Sequence, residues 1–275
     1  MEESFKGRMT VNDIQTISLG ILKDVHSFCV QNGLRYTLFG GTLIGAVRHN
    51  GFIPWDDDVD IAMPRPDYER FLSSYESMNG YQLIAREVQG RDVFLPYARV
   101  CDTQRTFVDT KKYLWSSFTT GVWIDVFPLD GMPSDFSIAK RITNRANRLF
   151  DITCKARGML SVINKEKSND ACFKRIVCKI AFPFFNRWDD LIRLCKGIDF
   201  NQADYYSNLS FGGYGIKEYC TKRVLNEFIL HRFEDSEFYI MKGYDKALTV
   251  KYGEYMTPPP LSKRRGTHGY DYYWK

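Results

Sequence analysis

The chain has 275 residues, 44% hydrophobic and 26% charged, an ordinary globular make-up with material for a substantial core. A net charge of +5 is too mild for a nucleic-acid-binding composition, so no nucleic-acid partner is expected, whereas anionic substrates and surfaces stay open. Seven scattered cysteines without a Cys-x-x-Cys pair read as reduced core residues; with no signal peptide and no apolar run of the ~20 residues a spanning helix needs, a cytoplasmic protein is expected, at most held at the inner face of a membrane.

Ile14, Ile17, Ile21, Val25 and Phe28 recur at helical spacing through 10–31, Thr10 and Asp13 resemble a capping box, and Asn32-Gly33 stops the helix. Residues 34–39 read as a short strand and 42–49 as a helix, so Gly40 and Gly41 occupy a strand-to-helix turn. Residues 58–63 alternate as a strand ended by Pro64 and Pro66; 67–75 reads as a helix with Asp67 near its N-cap; 81–86, 94–101 and 121–127 read as strands. This order predicts an α/β (α+β) core, a small mixed sheet with flanking helices.

Residues 138–197 change to a helical and basic character, read either as a solvated face or as a surface for anionic lipid, with 174–185 the segment expected to make peripheral membrane contact. A hairpin over 224–241, a helix over 244–252 and a basic, aromatic tail complete the chain. The expected organisation is a catalytic core over 1–135, a helical basic subdomain or insertion over 136–200, and a part completing the core over 201–275.

Chemistry concentrates after the glycine turn, where Asp56, Asp57, Asp58 and Asp60 place four carboxylates in five positions. Such repulsion calls for a cation. On an extended strand Asp58 and Asp60 project to one face and can share Mg²⁺, or Mn²⁺ in its place, a hard ion that combines one or two carboxylates with substrate phosphate. Asp56 and Asp57 then support that pair or shape the turn. A calcium loop is excluded, because Ile61 stands where its glycine is required and Asp67 where its glutamate is required. The N–H groups of Gly41 and Thr42 at a helix start are suited to a phosphate oxygen. Asp125, alone in an apolar strand, reads as a third carboxylate that must be paired or on a metal, and as either metal ligand or general base. Arg48 and Arg99 are read as phosphate ligands or as surface ion pairs, His49 as a helix-end residue beside the site, and Asp130 as a turn residue.

With these residues in view, the chain resembles the LicD family of the nucleotidyltransferase superfamily. The resemblance rests on Gly40-Gly41-Thr42-Leu43-Ile44-Gly45-Ala46-Val47-Arg48-His49, on the segment from Gly51 to Arg65 that carries Pro54-Trp55-Asp56-Asp57-Asp58-Val59-Asp60, and on Trp123-Ile124-Asp125-Val126-Phe127-Pro128-Leu129-Asp130. It continues more weakly at Tyr252-Gly253-Glu254-Tyr255-Met256 and leaves the basic middle uncovered. It implies a nucleotidyltransferase-like core and transfer of a phospho-group, typically phosphocholine from CDP-choline, to a sugar of a glycan or lipid-linked glycan. Related eukaryotic members are similar to fukutin-related proteins that transfer phosphoribitol. Gly40 and Gly41 match the family's glycine pair, Asp58 and Asp60 its paired carboxylates, and Asp125 its third. Transfer of the nucleotidyl group itself with release of pyrophosphate, and a non-catalytic glycan-binding protein, are the alternatives.

Overall fold

The structure, a computed structural model, describes residues 7–90, 93–108, 120–165, 182, 184–212, 214–264 and 270–275. Helix α1 (Val11–Asn32) has the capping box the sequence promises: Asp13 N donates to the Thr10 hydroxyl and Thr10 N to the Asp13 carboxylate, at 3.2 and 2.8 Å. Gly33, at φ +60°, closes it in the left-handed conformation. Its apolar face, Ile14, Ile17, Ile21, Leu22 and Val25, is buried in the main core, and the helix packs on β7 (Val122–Met132).

Five strands form the spine of the sheet in the order β2 (Thr37–Leu38), β3 (Asp60–Pro64), β7, β5 (Ala98–Asp102) and β4 (Gln82–Ile84). Only the β3 to β7 pairing is parallel; β2 runs antiparallel to β3, β5 to β7, and β4 to β5. Helices α2 (Gly40–His49) and α3 (Arg65–Ser74) flank β3 in sequence, and α4 (Arg86–Gln89) follows β4. The mixed sheet with helices is the expected α+β class.

Strand β7 is longer than the 121–127 reading. It runs on through Pro128 to Met132, buried at every position, because its far end pairs with β8 (Tyr205–Ser207), itself paired with β9 (Cys220–Thr221). Asp130 is therefore a strand residue and not a turn residue. Fully buried, it accepts from Arg65 Nε at 2.6 Å, and that arginine offsets the burial that raises the Asp130 carboxyl.

The middle segment contributes α5 (Phe136–Lys165) and α6 (Trp188–Cys195), which pack on each other around a second apolar cluster that includes Ala139, Ala146, Trp188 and Leu191. Of the stretch 174–185, residues 174–181 and 183 lie outside the described residues; Phe184 and Phe185 are 75% and 52% exposed. No helix among the described residues is long and apolar enough to cross a membrane. The hairpin is β10 (Phe228–Phe233) with β11 (Ser236–Met241), and helix α7 spans Tyr244–Tyr252, the range the sequence predicts. One sheet was not foreseen: β1 (Gly7–Arg8), β12 (Tyr272–Trp274) and β6 (Thr106–Val108) pair antiparallel, so the tail holds fixed strand structure.

Candidate active site

The two glycines expected in a turn are the first residues of α2, one residue (Phe39) after β2, and each is pressed against a carboxylate. Gly40 takes φ +56°, and a Cβ there would stand 2.7 Å from Asp60 Oδ2. A Cβ on Gly41 would stand 2.8 Å from Asp56 Oδ2. Backbone without side chains is what lets the acidic run approach the helix start, so turn and carboxylates form one unit. The first N–H groups of α2 have no intrahelical acceptor by construction, which aims partial positive charge at the same place. Thr42 works from behind: its hydroxyl accepts from Asp60 N at 2.8 Å and ties the helix to β3.

Asp58 and Asp60 do not alternate along one strand as expected. Strand β3 starts at Asp60, and Asp58 lies in the preceding loop, after the turn closed by Asp56 N on Ile53 O at 2.9 Å. What the loop achieves is a tighter grouping, with carboxylate oxygens of Asp56, Asp57 and Asp58 all within 4.8 Å of one another. Asp56 and Asp57, read as support, thus stand beside Asp58 as groups that could hold an ion. The all-oxygen donor set fits Mg²⁺. Burial first, then the charges of Asp58, Asp125 and Asp56, push the Asp60 carboxyl well above the usual range, while Lys251 opposes them. A divalent cation would relieve that repulsion.

Asp60, Asp125 and Arg99 lie in one row across β3, β7 and β5, since Asp125 is the register partner of both others. Arg99 Nε donates to Asp125 Oδ1 at 2.7 Å, and the guanidinium stacks 4.1 Å from the centroid of the Trp123 ring. The buried carboxylate is paired, as its apolar strand required. Arg48 is placed elsewhere: Nη1 donates to Tyr255 O at 2.6 Å and Nε faces His49 Nδ1 at 3.4 Å. Burial, then the charges of Arg48 and Arg264, hold the His49 imidazole below its usual range.

A cavity of about 380 Å³ joins the group. Asp56, Asp57, Asp58, Asp60, Asp125, both glycines and Arg99 line it; Thr42, Arg48 and His49 do not. The remaining wall is largely aromatic, including Tyr97, Trp123, Phe127, Phe211, Tyr214, Tyr252, Tyr270 and Tyr272. Trp55 stands apart, under Arg264 at 5.2 Å. Sequence reasoning missed Lys251, a cavity residue paired with the buried Glu218. The available signal was its position in Lys251-Tyr252-Gly253, at the edge of the weaker motif.

The family described as "LicD/FKTN/FKRP, nucleotidyltransferase domain" matches residues 33–139, the span holding the glycine turn, the acidic run, Arg99 and Asp125. The lipopolysaccharide cholinephosphotransferase LicD of Haemophilus influenzae is 30% identical over 272 residues, 95% of this chain and 97% of that one. The ribitol 5-phosphate transferase FKRP of Homo sapiens is 58% identical over a short stretch of 31 residues, 11% of this chain and 6% of that one. An uncharacterized protein of Rickettsia typhi is 35% identical over 80 residues, 28% of this chain and 26% of that one.

Proposed function

The chain belongs to the LicD family and is a transferase of phosphorus-containing groups; from that premise we propose that it moves phosphocholine, or a similar phospho-alcohol, from a CDP-activated donor to a sugar hydroxyl of a cell-surface glycan, releasing CMP. The observation that carries the reading is identity along nearly the full length of both chains with a cholinephosphotransferase, in a chain whose carboxylates and glycine turn share one cavity.

Phospho-group transfer depends on positioning and charge stabilisation more than on covalent chemistry. Asp56, Asp57, Asp58 and Asp60 are the residues that would hold Mg²⁺ or Mn²⁺, which when bound neutralises developing charge on the donor's diphosphate. The N–H groups of Gly40 and Gly41 bind a phosphate oxygen at the start of α2. Asp125 has Oδ1 on Arg99 and lies outside the group that Asp56, Asp57 and Asp58 form, so accepting the proton of the attacking hydroxyl suits it better than completing a metal set. Arg99 positions Asp125, and the aromatic wall excludes water and receives the donor's organic groups.

The test is CMP release from CDP-choline with Mg²⁺ by the wild type, Asp58→Asn and Asp60→Asn. Both variants should lose at least roughly 100-fold in turnover while retaining the wild-type thermal midpoint, as expected when groups stabilising the transition-state charge are removed. Wild-type turnover in either variant refutes the assignment of that carboxylate. CDP-choline, CDP-ethanolamine, CDP-glycerol and CDP-ribitol, compared by magnesium-dependent thermal shift, rank the donors; pyrophosphate release in place of CMP would favour nucleotidyl transfer, and no shift with any donor would favour a glycan-binding role.

A further inference from the structure

One residue of the cavity wall, Lys251, belongs to a second buried ion pair that the mechanism above does not use. Lys251, near the end of α7, and Glu218, at the end of the 3-10 turn Gly215–Glu218, form a salt bridge with side chains only 9% and 2% exposed. Three rings surround the ammonium: the Tyr214, Phe39 and Tyr252 centroids lie 4.2, 4.4 and 5.2 Å from Nζ. Behind Lys251 is a space of only about 20 Å³, also bordered by Phe39, Gly40 and Glu218. Phe39, Gly40 and Lys251 border both that space and the main cavity. The lysine is buried, and it borders the same cavity as the acidic group.

A pair of this kind is poor value as a structural device. Removing two charges from water costs several kcal/mol per ion, and apolar residues of the same volume often hold such a position at least as well. Its location is more informative. Lys251 lines the same cavity as Asp58, Asp60 and Gly40, the first residue of α2. Of the two cavity cations described, Arg99 is already held on Asp125. An ammonium has three N–H donors, and the acceptor recorded for this one is Glu218. Aromatic faces stabilise the cation without accepting those donors as an oxygen would.

We propose that Lys251 is a ligand of the donor's diphosphate, held in place by Glu218 and its three rings, so that a phosphate oxygen is taken between the lysine, the first N–H groups of α2 and the acidic group. The proposal rests on the functional reading above for the identity of the donor, but the anion site itself does not. Glu218 is a positioning residue: it makes no contact with the anion and fixes the ammonium against the rings.

The experiment titrates Mg²⁺ with inorganic pyrophosphate, and separately with CDP-choline, into the wild type, Lys251→Arg, Lys251→Met, Glu218→Gln and the double variant Lys251→Met/Glu218→Gln by calorimetry. The double variant removes both charges, so a folded protein without the lysine is available even if Lys251→Met alone leaves Glu218 too costly to bury. Loss of the lysine should weaken pyrophosphate binding at least roughly ten-fold, the range of a charge-assisted hydrogen bond, with partial retention in Lys251→Arg. Glu218→Gln should weaken binding less and raise KM for CDP-choline more than it lowers kcat. Pyrophosphate binding in the folded double variant equal to that of the wild type overturns the proposal, as does a wild type that binds no pyrophosphate. Lysine-dependent pyrophosphate binding without CMP release from any CDP-linked donor would sustain the anion site and sink the functional reading.

Discussion

The two glycines of the turn offer a controlled pair of substitutions. In Gly40→Ala and in Gly41→Ala the new methyl meets a carboxylate oxygen at nearly the same distance, 2.7 Å from Asp60 and 2.8 Å from Asp56, but only Gly40 has a left-handed backbone, at φ +56°. An L-residue there costs about 1–2 kcal/mol. At Gly41 the backbone carries no such penalty, and replacing helical glycine by alanine returns roughly 0.5–1 kcal/mol, which offsets the displacement of a side-chain end. For a chain of this size one kcal/mol corresponds to about 2 °C in thermal midpoint. Without metal, Gly40→Ala should therefore melt roughly 2–4 °C below the wild type and Gly41→Ala close to it. Both move a carboxylate, so both should shrink the stabilisation that saturating Mg²⁺ provides, roughly 5 °C at a hundred times the dissociation constant. Differential scanning fluorimetry with and without Mg²⁺ reads both effects. Equal midpoints for the two variants would refute the backbone argument, and a full Mg²⁺ shift in both would refute the claim that the glycines exist to admit the carboxylates.

Breaking the Arg99 to Asp125 pair with Arg99→Met should destabilise the fold by about 3–5 kcal/mol, because it strands a buried carboxylate; urea unfolding measures it, and the double variant with Asp125→Asn should recover most of the loss. A cost below about 1 kcal/mol would mean the pair is solvated like a surface bridge. His26 is half-buried, with Nδ1 2.7 Å from the Tyr36 hydroxyl, and burial lowers its pKa. Its contribution to stability is complete above the unfolded-state pKa of about 6.5 and is lost as pH falls from there through the folded value. The thermal midpoint should fall less between pH 7 and 5.5 in His26→Gln than in the wild type, and parallel profiles would exclude His26 as a source of the acid sensitivity.

Local signals were legible where one stretch of chain contains its own explanation. Thr10, Asp13 and Gly33 define α1 unaided, and the Gly40-Gly41 turn announces itself between two periodicities. The site was harder to read where it depends on distant partners. Pro128-Leu129-Asp130-Gly131 has turn chemistry, yet Arg65, 65 residues away, neutralises Asp130 and β8 completes its ladder, so the strand continues. Asp58 satisfied a period of two, but the ladder joining β3 to β7 starts only at Asp60. Asp125 was recognisable as a carboxylate needing a partner; that the partner is Arg99 follows from the β5 to β7 register, which no local pattern encodes. Lys251 went unread because Glu218 and the ring of Phe39 reach it only in three dimensions.

The central place of β7 also governs the order in which the protein can assemble. Its partners are β3, some 65 residues earlier, β5, about 25 residues earlier, and β8, about 75 residues later. On a chain emerging from the ribosome, β3 waits with an unpaired edge until β7 is made, and the Asp130 end of β7 waits again for β8. Closure over such separations is slow, and hydrophobic edges stay open meanwhile. Nascent chains that stop short of β7 should therefore be the aggregation-prone species of this protein, and the row that places Asp60 beside Asp125 cannot form before that strand docks.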